Sequence, residues 1–165
     1  MVTKAGFDFR VLLKDFSRIP QGAPVKVDDV PGVQFMEQAG EKHPVTVLIA
    51  DDCDDLRELM VLQIQKLGYR TAEAANGLEA IEVAQKTSPS LILMDISMPL
   101  LDGLAATRVI RESGRLPDTA IVALSAYLSV CHRDLALEAG CNEYVSKTEL
   151  VDKLEYILGR FAPLL

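Results

Sequence analysis

Residues 91–98 read LILMDISM, in which four apolar residues run directly into a single carboxylate, Asp95. Four consecutive apolar residues without polar alternation are typical of a strand that is buried on both faces of a parallel sheet. A second apolar run, residues 45–50, ends in the same way at the adjacent acids Asp51 and Asp52. Because the carboxyl ends of parallel strands open onto one edge of the sheet, we expect these three carboxylates to converge.

Outward from this stretch, short apolar runs alternate with segments of helical periodicity, a pattern typical of βα units on a parallel sheet. The predicted strands span residues 45–50, 69–74, 91–94, 120–124 and 143–145. The second strand is short and partly polar, which favours a place at the sheet edge. A helix follows each strand, with Asp54 or Asp55 as the expected cap of the first and residues 148–160 as the last. The fold class is therefore α/β, with five strands and five helices.

Residues 1–44 differ from the rest of the chain, since eight prolines and glycines interrupt them and no long periodic segment survives. We expect them to form a flexible N-terminal extension or linker, with a short docking segment as the alternative. The predicted domain spans residues 45–161, and residues 162–165 form a C-terminal tail.

Composition excludes several classes of protein. The net charge of −7 argues against direct nucleic-acid binding, and residues 1–44 hold six basic and six acidic residues, so the whole excess lies in residues 45–165. No apolar run approaches the roughly 20 residues that span a bilayer, and no signal peptide is recognisable, so we expect a cytoplasmic protein without membrane contact. The three cysteines have no paired spacing, which predicts reduced thiols.

Three crowded carboxylates repel one another, and either a raised pKa or a bound cation relieves the repulsion. Since the candidate ligands are all oxygens, the expected cation is hard, and Mg²⁺ fits best. A carboxylate beside Mg²⁺ can attack phosphorus, and Asp95 is placed for that attack. Lys147, after the fifth strand, and Ser125, after the fourth, are candidates to contact the phosphoryl oxygens.

These features resemble the receiver domain of two-component response regulators, the CheY-like domains, over residues 45–160. The family pattern has an acidic pair after strand one, an aspartate in a D-x-x-M-P run, a D-G pair, Ser or Thr followed by Ala, and a lysine after strand five. The chain meets it, in order, with Asp51-Asp52, residues 95–99, Asp102-Gly103, Ser125-Ala126 and Lys147.

The resemblance implies a flavodoxin-like, doubly wound parallel sheet in strand order 2-1-3-4-5. It also implies that Asp95 accepts a phosphoryl group from a histidine kinase or a histidine phosphotransfer protein, in a signalling switch that catalyses only its own phosphorylation and dephosphorylation. The implied Mg²⁺ ligands are the carboxylates of Asp51, Asp52 and Asp95 and the backbone carbonyl of Ser97.

The resemblance further implies a conformational switch, in which Tyr144 swings inward as Ser125 moves to the phosphoryl group. The surface of the fourth helix, fifth strand and fifth helix would then signal to an effector protein. One departure is visible, because Thr148 stands where the family commonly has a proline joined by a cis peptide bond. A non-proline cis bond costs about 2.5 to 4 kcal/mol, so we expect a trans or a strained link after Lys147.

Three alternatives remain open from the sequence. The chain resembles, more weakly, a haloacid-dehalogenase-like phosphatase that uses Asp52 and Asp54, although that reading leaves Asp95 without a role. It is also compatible with a receiver fragment of a hybrid sensor kinase. A receiver that binds partners without phosphorylation is disfavoured by the intact acidic set.

Overall fold

A computed structural model of the chain describes residues 45–126 and 130–164. The expectations for residues 1–44 lie outside this part of the chain. Five strands form one parallel sheet in the order β2-β1-β3-β4-β5, which confirms the predicted fold class and strand order. The strands are β1 Thr46–Ala50, β2 Arg70–Ala74, β3 Leu91–Asp95, β4 Ala120–Ser125 and β5 Glu143–Ser146. The helices are α1 Asp54–Lys66, α2 Gly77–Thr87, α3 Gly103–Glu112, α4 Val130–Glu138 and α5 Lys147–Phe161.

The sheet separates two apolar clusters, because successive side chains of a strand point to opposite faces. In β3, Leu91 and Leu93 join a cluster with α1 and α5, whereas Ile92 and Met94 join a cluster with α2, α3 and α4. All five residues of β3 are buried, as the apolar run predicts. The domain therefore has three layers, and β3 lies at the centre of the middle one.

The helix caps correct one prediction. Neither Asp54 nor Asp55 caps α1, because Cys53 occupies the N-cap position and both acids lie in the first turn. That placement still suits them, since negative charge near a helix N-terminus is favourable. Asn76 caps α2 and Asp102 caps α3, each through a side-chain oxygen that accepts a backbone N–H.

Three strands run one residue further than predicted. β3 ends on Asp95, β4 on Ser125 and β5 on Ser146, directly before Lys147 opens α5. The ladder between β3 and β4 pairs Asp95 with Leu124, so the functional candidates end their strands at the same edge of the sheet. In the described part of the chain, no helix is both long enough and apolar enough to span a bilayer.

Candidate functional site

Three carboxylates meet at the carboxyl edge of the sheet, as predicted. One oxygen from each of Asp51, Asp52 and Asp95 lies within 4.8 Å of the other two. Asp51 and Asp95 are buried and Asp52 is exposed. The group therefore has two acids in the floor of the site and one at its solvent rim.

The side chain of Lys147 contacts both of the buried acids in the floor of the site. Its Nζ donates to Asp95 Oδ2 at 2.9 Å and lies 2.8 Å from Asp51 Oδ2. Burial opposes the charge of Lys147, but the hydrogen bonds and negative charges of Asp51 and Asp95 outweigh it and raise the pKa of the lysine above its ordinary value. Lys147 is therefore a fixed positive charge between the two buried acids.

The environment of Asp95 disfavours its ionised form. Burial raises its pKa above the ordinary value, and the charge of Asp51 adds to the effect. The hydrogen bonds from Lys147 and from the backbone N–H of Ser97, the latter at 3.1 Å to Oδ1, act in the opposite direction without cancelling it. A second cation at this position would relieve the cost of keeping Asp95 charged.

The residues present fit a bound divalent cation. Asp51 Oδ1 accepts the N–H of Cys53 at 2.9 Å. Asp51 Oδ2 is buried, and in the described part of the chain Lys147 Nζ, at 2.8 Å, is its one close polar partner. Two buried carboxylates that share a single ammonium, beside a third carboxylate, are a set of oxygen ligands suited to a hard ion such as Mg²⁺.

Three further predicted residues lie at or near the same edge. Ser125 is buried at the end of β4, and Tyr144 of β5 is 8% exposed within the apolar cluster that faces α2, α3 and α4. The Tyr144 ring is therefore inward in this structure. Ser97 is exposed in the loop after β3, and its contact with Asp95 is through its own N–H.

The peptide bond between Lys147 and Thr148 is trans, in agreement with one of the two sequence expectations. Ser146 caps α5 by accepting the N–H of Thr148 at 3.3 Å, and the two hydroxyl oxygens are 2.7 Å apart. The chain thus turns into α5 through a serine cap, and Lys147 still reaches both buried acids. The sequence signal for this cap is Ser146 with Glu149 three residues later, and α5 begins one residue before the predicted start at residue 148.

The sequence marks Gly103 only as part of the Asp102-Gly103 pair. Its φ is not positive, so the glycine is not needed for a left-handed backbone. Its importance is close packing, because a Cβ at this position would lie 2.0 Å from the backbone oxygen of Asp95 and 2.9 Å from Met94 Cγ. The start of α3 therefore lies directly against the end of β3.

Arg57 also contacts the site, and no sequence pattern predicted a role for it. Its Nη1 donates to the backbone carbonyl of Asp51 at 2.7 Å. A polar contact from one turn of a helix back to a loop carbonyl leaves no distinctive pattern in the sequence.

Comparison with solved structures supports the same arrangement. The receiver domain of the sensor histidine kinase PA1611 from Pseudomonas aeruginosa, which has a magnesium ion coordinated in its active-site cleft, superposes with a TM-score of 0.66 at 32% identity, covering 72% of this chain and 97% of that one. The chemotaxis protein CheY4 of Vibrio cholerae superposes with a TM-score of 0.67 at 26% identity, covering 72% of this chain and 98% of that one. A third structure contains the receiver domain of Ssk1 from Saccharomyces cerevisiae with the histidine phosphotransfer protein Ypd1. It superposes with a TM-score of 0.67 at 27% identity, covering 72% of this chain and 88% of the matched chain.

Curated relatives that are similar in sequence are also proteins of two-component signalling. The response regulator MprA of Mycobacterium sp. (strain KMS) is 33% identical over 73% of this chain and 53% of its own length. The hybrid signal transduction histidine kinase G of Dictyostelium discoideum is 36% identical over 72% of this chain and 4% of its own. The chain thus spans about half or less of the length of these two relatives.

The family model for the response regulator receiver domain matches residues 47–158, which include every candidate residue of the site. This match decides against the phosphatase alternative, as does Asp54, whose carboxylate is bound by Arg57 on the exposed first turn of α1. The chain belongs to the response regulator receiver domain family, the signalling switches of two-component and phosphorelay systems.

Proposed function

We propose that Asp95 is the phosphoacceptor of this receiver domain and that it reacts with Mg²⁺ bound beside it. The observation that carries the proposal is the contact of Asp95 Oδ2 with Lys147 Nζ at 2.9 Å, in a floor that also contains Asp51 and opens to Asp52. Asp95 accepts from Lys147 Nζ through Oδ2 and from the Ser97 N–H through Oδ1.

In the proposed reaction, a carboxylate oxygen of Asp95 forms a bond to the phosphorus of a phosphohistidine. The phosphorus–nitrogen bond breaks, and the imidazole nitrogen leaves with the electron pair. Lys147 is positioned to hold a phosphoryl oxygen through its ammonium, and Ser125 is placed at the end of the neighbouring strand to donate its hydroxyl to another. Both groups act by stabilising charge that accumulates on the phosphoryl oxygens.

The residues that would hold the cation are Asp51, Asp52, Asp95 and the backbone carbonyl of Ser97. Mg²⁺, when bound, offsets the negative charge of phosphate and carboxylates that must approach each other. The phosphoryl donors we propose are a histidine kinase or a histidine phosphotransfer protein, in keeping with the Ypd1 partner of the similar Ssk1 receiver.

We further propose that output passes through the surface of α4, β5 and α5. Several apolar side chains on these helices are exposed: Val130, Leu135, Leu137, Val151 and Tyr156. Tyr144 is buried on β5, three residues before Lys147, in the apolar cluster that also includes a residue of α4. Movement of Ser125 toward the phosphoryl group would bias the inward position of Tyr144, a local event with a remote readout.

The test of phosphorylation is incubation of the full chain with acetyl phosphate and Mg²⁺, followed by intact mass measurement. We expect one added phosphoryl group, which Asp95→Asn abolishes and omission of Mg²⁺ prevents. The matched control is Asp102→Asn in the same loop, because Asn retains the cap of α3. Uptake that persists in Asp95→Asn would contradict the proposal.

A further inference from the structure

Arg57 links three elements around the acidic site. Its Nη1 donates to the backbone carbonyl of Asp51 at 2.7 Å, its Nε donates to Glu73 Oε2 of β2 at 3.2 Å, and its Nη2 pairs with Asp54. The side chain is only 15% exposed. A planar guanidinium can satisfy three separate acceptors at once, whereas a lysine ammonium, a single point of charge, cannot span them.

The carbonyl that Arg57 holds belongs to the peptide unit between Asp51 and Asp52. The other polar groups of Asp51 are fixed independently, because its N–H donates to the Ala74 carbonyl at 3.1 Å and its Oδ1 accepts the N–H of Cys53. Arg57 therefore supplies the contact that fixes the orientation of the peptide plane joining the two acids. That plane sets the direction in which Asp52 leaves the backbone.

We propose that Arg57 is a positioning residue for the metal site, acting through the peptide unit between Asp51 and Asp52 and anchored to β2 by Glu73. The inference rests on the proposed Mg²⁺ site. Arg57 touches neither the cation nor the phosphoryl group in this scheme. It restricts the acidic pair to one arrangement, so that Mg²⁺ binding does not have to order the loop.

Charge and position predict opposite effects of changing this residue. If Arg57 mattered only as a nearby positive charge, it would repel Mg²⁺, so that Arg57→Ala would bind the ion more tightly and Arg57→Lys would bind it unchanged. If Arg57 positions the acids, Arg57→Lys keeps the charge but loses the planar set of N–H donors that holds the three acceptors, and Mg²⁺ binding weakens. The lysine variant therefore separates the two roles.

The experiment is calorimetric titration of the full chain with Mg²⁺ alone. We expect the Kd of Arg57→Lys to rise on the order of tenfold, as is typical when a group that orients metal ligands is lost. The matched control is Arg160→Lys, which alters an arginine that pairs with Glu143 at 3.3 Å, at the opposite end of β5 from the site. We expect the Kd of this control to equal that of the wild type.

Thermal unfolding without Mg²⁺ checks that each variant folds. If Arg57→Lys fails to fold, Glu73→Ala is the deciding variant, because it removes an exposed anchor of Arg57 and leaves the carbonyl contact in place. We expect its Kd to rise, by less than about tenfold. An unchanged Kd in a folded Arg57→Lys, or in Glu73→Ala if the lysine variant is unfolded, overturns the inference while leaving the Mg²⁺ site intact. If the wild type itself binds no Mg²⁺, the proposed function fails first.

Discussion

Lys147 donates to Asp95 Oδ2 at 2.9 Å, joining residues that are 52 positions apart in the sequence. The same Nζ is 2.8 Å from Asp51 Oδ2, so one cation stabilises both buried members of the acidic group. The site is thus held together by Lys147 before any metal binds. The cost is that Lys147 competes for the carboxylates that Mg²⁺ would use.

Replacing Lys147 with Met, which removes the charge and keeps an extended side chain, separates these two effects. Without the metal, two buried carboxylates lose their counter-charge, and we expect the free energy of unfolding to fall by about 1.5 to 3 kcal/mol. Mg²⁺ should bind more tightly, because its competitor is gone, yet phosphorylation by acetyl phosphate should be slower. Urea unfolding, calorimetry and mass measurement test the three parts, and weaker Mg²⁺ binding in a folded variant would contradict the competition.

The pH dependence of stability should reveal the free-energy cost of ionising the buried Asp95 side chain. Burial raises its pKa in the folded protein, so the group stabilises the fold when protonated. That contribution is complete below the unfolded value near 3.8 and is lost as the pH rises through the folded pKa. At neutral pH without metal, ionised Asp95 is therefore a net cost, and Asp95→Asn should be more stable than the wild type.

The advantage of Asp95→Asn should shrink as the pH falls through the raised pKa of folded Asp95 toward the unfolded value of 3.8, because the wild-type side chain becomes neutral over this range. Urea unfolding with EDTA, from about pH 8 down to about pH 4, measures the difference. Asp55→Asn reports the effect of removing an exposed negative charge from the first turn of α1. A variant less stable than the wild type at neutral pH would show that the Lys147 contact outweighs burial.

Mg²⁺ should protect the wild type from unfolding. An ion that binds only the folded state at 100 times its Kd adds about 2.7 kcal/mol to the free energy of unfolding. We expect this gain to disappear in Asp52→Asn and in Asp95→Asn, and to persist in Asp55→Asn, which lies outside the three-acid group. Differential scanning calorimetry with and without Mg²⁺ gives the comparison, and an equal gain in all three variants would place the ion elsewhere.

Close packing of α3 against β3 predicts contrasting results for two glycines. Gly103→Ala should destabilise the domain by about 1 to 3 kcal/mol and impair phosphorylation, because the new Cβ has to displace the backbone at Asp95. In the described part of the chain, and apart from its chain neighbours and the backbone of its own helix, a Cβ at Gly159 in α5 would have no heavy atom within 4 Å. Gly159→Ala should be more stable than the wild type by about 0.5 to 1 kcal/mol, with phosphorylation unchanged.

Equal thermal unfolding of these two alanine variants would contradict the packing at Gly103. The comparison is well matched, because both changes add one methyl group at a helical position and differ only in what surrounds it.

The strands and the acidic group could be predicted because both depend on local patterns. A buried strand must be apolar throughout, and an acid at its end stands out, as Asp95 does after residues 91–94. The predicted cap of α1 was wrong because side-chain preference favours Asp54 at the N-cap, whereas the chain enters the helix at Cys53, which makes no side-chain cap hydrogen bond. The Arg57 contact with Asp51 and the space around Gly103 depend on how helices lie on the sheet, which no single segment encodes.

Chemical trapping of the phosphorylated residue tests the role of Asp95 most directly. An aspartyl phosphate reacts with hydroxylamine to give a stable hydroxamate, which peptide mass spectrometry assigns to one residue. After phosphorylation with acetyl phosphate and Mg²⁺, we predict the hydroxamate at Asp95 alone. A hydroxamate at Asp51 or Asp52, with Asp95 unmodified, would contradict the assignment.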